Sequence, residues 1–140
     1  MREILFRGKR TDNGEWVYGY YTKARYYLNE KEMHVIFAPD GEAFPRNEFS
    51  EYEEVDPETV CQFTGLYDKN GRKIFEGDIV KYGDTIHRVV FEQRNGTAYF
   101  GIVISDIETW LFGNECPANL MDVVGNIYGN PELLEVKQNG

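Results

Sequence analysis

Apolar and polar positions alternate with a period of two along most of this chain, and turn signals break the alternation at short intervals. That pattern predicts antiparallel strands joined by tight turns rather than helices. "EILFRG" (3–8) reads as a short strand, and Asn13-Gly14 in "TDNGEW" as the hairpin turn after it. "WVYGYYTKARYYL" (16–28) supplies the next strand, with Gly19 marking a bulge or a close backbone approach. "MHVIFA" (33–38) is a third. Three strands alone are marginal in water, so this sheet needs something to pack on.

The stretch 39–59 breaks the pattern with three prolines and a run of acids. We take 40–59 as an acidic, proline-containing connector between an N-terminal β segment (1–39) and a C-terminal domain (60–136), with 137–140 as a tail. A short helix over 47–55 has weak support. From residue 60 the alternation strengthens, and strands are expected at roughly 60–67, 72–82, 85–93, 98–105 and 122–128. In "TIHRVVFEQ" (85–93) Ile86, Arg88, Val90 and Glu92 fall on one side, and His87, Val89, Phe91 and Gln93 on the other. "AYFGIVIS" (98–105) is apolar enough to be buried on both faces, and "DIETWLFGNECPANLM" (106–121) reads as a loop or short helical insertion.

Five short, tightly linked strands suggest a small barrel, whose closure would remove exposed edges. No helical pattern of a dozen residues intervenes, which argues against parallel βαβ units. Within "TGLYDKNGRKIFEGDIV" (64–80), Asp68 to Gly71 closes a hairpin, and Glu76-Gly77-Asp78 bends the chain so that Ile79 and Val80 re-enter the core.

Charge changes the picture in one place. The net charge is −9, and residues 40–58 hold one arginine against eight acids. Such a chain lacks the clustered cations that neutralise phosphates. No apolar run reaches the ~20 residues of a membrane span, and no signal-peptide core follows the N-terminus, so a soluble, cytoplasmic protein is expected. Cys61 and Cys116 have neither a partner at metal-binding spacing nor a disulfide framework around them.

Three blocks, "REILFRGKRTDNGEWVYG", "QFTGLYDKNGRKIFEGDIV" and "VVGNIYGNPELLE", together resemble the YopX family over both ends and the middle of the chain. The resemblance implies a phage or prophage setting, a bacterial host cytoplasm and an SH3-type barrel in the C-terminal part. It implies no catalytic residue. The expected fold is thus mainly β: a C-terminal SH3-like small barrel, an N-terminal antiparallel β segment and little helix.

The chemistry-bearing residues are sparse. His34 and His87 each stand alone on a strand without a neighbouring nucleophile. Glu76 and Asp78 flank Gly77, but a cation loop needs more oxygen ligands, so they read as turn stabilisers. No phosphate loop or dinucleotide fingerprint occurs. No catalytic residue, metal or cofactor is therefore expected, and the chain reads as a non-catalytic binding module for a host or phage macromolecule. Candidate partner contacts are Trp110, in an apolar loop beside Leu111 and Phe112, together with Tyr67, Tyr82 and Tyr99. An unidentified protein is the expected partner, with a contact between copies of the chain as the second choice.

An alternative is single-stranded nucleic acid held by Arg7, Lys9, Arg10 and Trp16, cations beside an aromatic platform. The net charge and a core-facing reading of Tyr18 and Tyr20 stand against it. A further alternative is that the acidic surface imitates DNA and blocks a host enzyme.

Overall fold

The computed structural model describes residues 4–25, 30–38, 52–94, 96–113 and 115–134. The chain divides into two compact units, Met1–Phe63 and Thr64–Gly140. Both are built of antiparallel strands, as the alternation predicts.

In the first unit β1 (Phe6–Lys9), β2 (Trp16–Arg25), β3 (Glu32–Phe37) and β4 (Tyr52–Glu54) run in the order β4-β3-β2-β1, and β5 (Cys61–Tyr67) pairs with β1 through its first residues. Register is set by face. Val17 and Ile36 point inward with Val55 and Ala38, while Trp16, Tyr18 and Tyr20 point the other way. A one-residue slip would exchange the two sets, which burial forbids. Gly19 is required because the Phe37 carbonyl lies where its Cβ would stand. The close approach expected there is present. Past β4, the Arg10–Val55 bridge and the bond from Asp56 N–H to the Lys9 carbonyl (2.8 Å) tie the chain to the end of β1. Asp56 then caps the short 3-10 turn Pro57–Thr59 by accepting from Glu58 N–H (3.0 Å).

The second unit takes the rest of β5, then β6 (Lys73–Phe75), β7 (Asp78–Tyr82), β8 (Thr85–Arg94), β9 (Thr97–Ser105), β10 (Glu108–Leu111) and β11 (Asp122–Asn126). Five of them form one sheet in the order β10-β9-β8-β7-β11. Its core is Ile74, Val80, Val89, Ile102 and Met121, all at most 1 % exposed, each side chain worth about 1.5–3 kcal/mol of burial.

The two turns in 64–80 are architectural. Gly77 has φ of 86°, a left-handed conformation, and its N–H and C=O bond the Val89 carbonyl and the Ile127 N–H, both at 2.9 Å. Buried Asp78 accepts from Phe75 N–H (2.8 Å) and holds the bend. Asp68, also buried, accepts from Asn70 N–H (2.8 Å) and Arg72 N–H (2.9 Å) on one oxygen and from Val123 N–H (3.0 Å) on the other. The hairpin tip is thereby fastened to β11. Burial pushes the Asp68 carboxyl up, but those three amides, with the Arg72 charge, outweigh it and hold the carboxyl below its ordinary value.

Four expectations change. The stretch 106–121 contains a strand, β10, paired with β9, and a 3-10 turn at Ala118–Leu120; the turn between β9 and β10 carries no Asn-Gly signal, and a register shift at Glu108/Thr109 breaks the alternation. The run 98–105 is fully buried only at Gly101 and Ile102. Residues 52–54, inside the stretch with weak helical support, form a strand. Neither sheet closes on itself, because β10 and β11 end the second sheet without pairing to each other. Most of the acidic connector and the tail lie outside the described residues.

Asp68→Ala leaves buried amides without an acceptor and is expected to cost roughly 3 kcal/mol in urea unfolding. Because the folded carboxyl titrates below its unfolded value, its contribution is complete above the ordinary value of 3.8 and drains away as pH falls further, through the folded value. Asp68→Asn should lack that acid-dependent loss; an unchanged pH slope would refute the clamp. Gly77→Ala forces a side chain into the left-handed region and is expected to cost about 1–2 kcal/mol by the same measurement.

Candidate functional site

The alternation that builds the first unit also builds its most distinctive surface. With Val17, Gly19 and Tyr21 turned inward, β2 presents Trp16, Tyr18 and Tyr20 on the opposite face. Pairing adds to the row: Tyr20 sits opposite Phe37 on β3, and Phe37 opposite Tyr52 on β4, with the Phe37 and Tyr52 ring centroids 5.6 Å apart. Tyr18, Tyr20, Phe37 and Tyr52 are 40–48 % exposed. The core-facing reading of Tyr18 and Tyr20 is thus corrected. The missed signal was the small inward residue: Val17 and Gly19 alternate with Trp16, Tyr18 and Tyr20, so those three rings share the outer face.

At the β1 end, Arg7 pairs across from Tyr18 and Lys9 from Trp16. The Arg7 guanidinium lies 4.6 Å from the Trp16 ring centroid and the Lys9 ammonium 5.4 Å, so both cations rest on one indole. Arg7 is only 5 % exposed. Arg10 turns to acids instead: it donates to both Asp12 oxygens (2.9 and 2.7 Å) and lies 3.3 Å from Glu53. The Asp12 hydrogen bond raises the Arg10 guanidinium above its ordinary value, and the Arg10 hydrogen bond lowers the Asp12 carboxyl below its own. The structure therefore gathers Arg7, Lys9 and Trp16, and diverts Arg10.

The four residues expected to touch a partner from the second unit are not gathered. Tyr67 is exposed under Lys73 (5.5 Å from its ring) and lines a shallow groove of about 460 Å³ with Leu66, Phe112 and Pro117. Tyr82 packs on the core cluster. Tyr99 donates to Glu92 (3.1 Å). Trp110 stands on β10, 42 % exposed, and its indole N–H donates to Glu108 (2.8 Å).

The histidines are engaged in local bonds. His34 Nδ1 lies 2.6 Å from the Tyr21 hydroxyl, and its Nε2 3.4 Å from Glu32. Buried His87 donates from Nδ1 to the Val103 carbonyl (3.0 Å), and Thr85 Oγ1 lies 2.6 Å from its Nε2. That spacing suits a hydroxyl nucleophile and its base, but the Thr85 hydroxyl also sits 3.0 Å from the Tyr82 carbonyl, where it braces the β7–β8 turn. Burial pushes the Cys116 thiol up, away from thiolate chemistry. Among the described residues no group of three His, Cys, Asp or Glu side chains is placed to hold a metal, and no helix is long and apolar enough to cross a membrane.

No curated protein matches the chain. Among solved structures, the crystal structure of protein EF1440 from Enterococcus faecalis is similar at 26 % identity, with a TM-score of 0.53, over 96 % of this chain and 99 % of that one. The family described as YopX protein matches residues 5–135. The chain belongs to the YopX family.

Proposed function

We propose that this protein is a non-catalytic binding module that acts on a host or phage macromolecule in the bacterial cytoplasm, and that its contact surface is the aromatic outer face of the first unit. One observation carries the reading: Tyr18, Tyr20, Phe37 and Tyr52 stand together on one sheet face, each close to half exposed. Aromatic side chains contribute large contact area with few rotatable bonds, and contiguous exposed apolar patches mark interaction sites. The second unit we read as an open relative of the SH3-type barrel. Its last strand, β11, returns beside its meander's first, β7, an arrangement from which a small barrel closes.

Single-stranded nucleic acid on the same face is the second reading. The stack of Lys9 and buried Arg7 on Trp16 beside Tyr18 favours it, since bases stack on rings and the Lys9 ammonium can meet a phosphate. The net charge of −9 opposes it, and a protein partner ranks first.

The test compares the wild-type chain with a Tyr20→Ser, Tyr52→Ser double variant, both confirmed folded by circular dichroism. Each is immobilised and exposed to lysate from phage-infected or prophage-induced cells. The expected result is one protein retained by the wild type and reduced at least tenfold with the variant. Retention equal on both, or a bound metabolite or metal in place of a macromolecule, overturns the reading. Quenching of Trp16 by a thymidine oligomer at micromolar concentration, lost in the variant, would transfer the face to nucleic acid.

A further inference from the structure

Sheet edges carry main-chain donors and acceptors that recruit other strands, and proteins blunt them with charge, shortness or cover. Three of the edges here are blunted. β4 is three residues long, carries Glu53 and Glu54, and its continuation is tied to β1. β6 is three residues long and begins with Lys73. The outer side of β11 is covered by the hairpin tip at Asp68: the Met121 carbonyl accepts from Lys69 N–H (2.9 Å), the Val123 N–H donates to Asp68 (3.0 Å), and the Val123 carbonyl accepts from Arg72 (3.1 Å).

β10 is also short and begins with Glu108, but its stretch Thr109–Leu111 carries no charge. It ends the second sheet, and among the described residues no strand pairs with its outer side. Its register shift lies at Glu108/Thr109, leaving the remainder regular. Phe112 N–H bonds the Phe100 carbonyl (3.2 Å), and the Trp110 carbonyl lies against Gly101. Even-numbered groups therefore face β9, and by alternation the N–H and C=O of Thr109 and Leu111 face outward. The side chains flanking them are apolar: Trp110 on one face, Leu111, 49 % exposed, on the other, and Ile107 in the preceding turn. Glu108 holds the indole in place, so the edge is organised before anything binds.

We propose that β10 is a strand-addition site that takes an extended segment of a partner protein. The segment pairs through the main chain of Thr109 and Leu111 and sets alternate apolar side chains against Trp110 and Leu111. Asp106 and Glu108 at the start of the edge select a Lys or Arg at the adjoining end of the segment. The same acidity argues against a second copy as occupant. Two chains of net charge −9 repel, and a four-residue edge buries far less than the roughly 1,600 Å² of a standard stable interface. This site belongs to the second unit and the aromatic face to the first, and either proposal can fail without the other.

The probe is a synthetic eight-residue peptide of alternating valine and threonine, with lysine at both ends, added to the full-length ¹⁵N-labelled chain. Amide exchange at Thr109 and Leu111 is expected to be fast in the free protein and to slow at least tenfold with peptide, at a Kd in the micromolar to millimolar range. An N-methylated peptide, which cannot donate along one edge, should give no slowing. Leu111→Lys should weaken binding at least fivefold, whereas the Tyr20→Ser, Tyr52→Ser variant should bind as the wild type does. Absence of slowing at millimolar peptide, or shifts confined to residues around Tyr67, overturns the proposal. So does a free protein that is dimeric by light scattering with Thr109 and Leu111 already protected, since a second copy would then hold the edge.

Discussion

The second unit hangs on one carboxylate. Asp68 is buried and accepts three main-chain amides, two within its own turn and one from Val123 on the unit's last strand. A carboxylate in that position organises more than a turn. It fixes the hairpin tip, docks it on β11, and so satisfies donors and acceptors that a free outer strand would offer to solvent. Removing the charge would leave three amides to find other acceptors in a place with little water. The burial of Asp68 works against its ionised form, and the amides win because they are three and close.

A second constraint, steric rather than electrostatic, shapes the first unit. The inward face of β2 must clear the Phe37 carbonyl at Gly19, and Gly8 on β1 has the Val55 Cβ only 3.1 Å from where its own would stand. A ring has no room at either glycine. Trp16, Tyr18 and Tyr20 are displaced to the outer face, and pairing brings Phe37 and Tyr52 beside them. The exposed aromatic surface is thus partly a consequence of how tightly the inner face is closed. Keeping four large rings near half exposed still has a cost in solubility, which is why they support a role in contact.

Period-two alternation made most strands legible, and the glycines at positions 71, 77, 83 and 96 have positive φ where the turn chemistry asked for it. The same alternation is blind in three ways. It says which residues share a face, but not which face is inside; only the sizes of Val17 and Gly19 could have decided that for Tyr18 and Tyr20. It says that strands exist, but not whether the outermost two meet, and here β10 and β11 do not. It fails where a register shift interrupts it, and β10, four residues long behind an irregular start, was hidden for that reason. Of the candidate contacts, the cluster of Arg7, Lys9 and Trp16 was readable because β1 and β2 form a hairpin with an Asn-Gly turn. The scatter of Tyr67, Tyr82, Tyr99 and Trp110 was not, since it depends on pairing among strands far apart in sequence.

Four of the described side chains that could carry chemistry are turned to local bonds or burial, while rings and a strand edge are exposed. His87 and Asp68 are buried with their polar atoms engaged, His34 is bonded to Tyr21, and Cys116 is buried and held as a thiol. Among the described residues, aromatic rings and the outer edge of β10 stay exposed. Both recognise shape: rings accept flat or aliphatic surfaces, and an edge accepts any chain that can lie extended. Recognition of that kind tolerates sequence variation in the partner, because a main-chain ladder reads backbone and leaves discrimination to the few side chains that flank it. Trp110, Leu111 and the acids beside them would then set specificity at the edge, just as the spacing of Tyr20, Phe37 and Tyr52 would set it on the sheet.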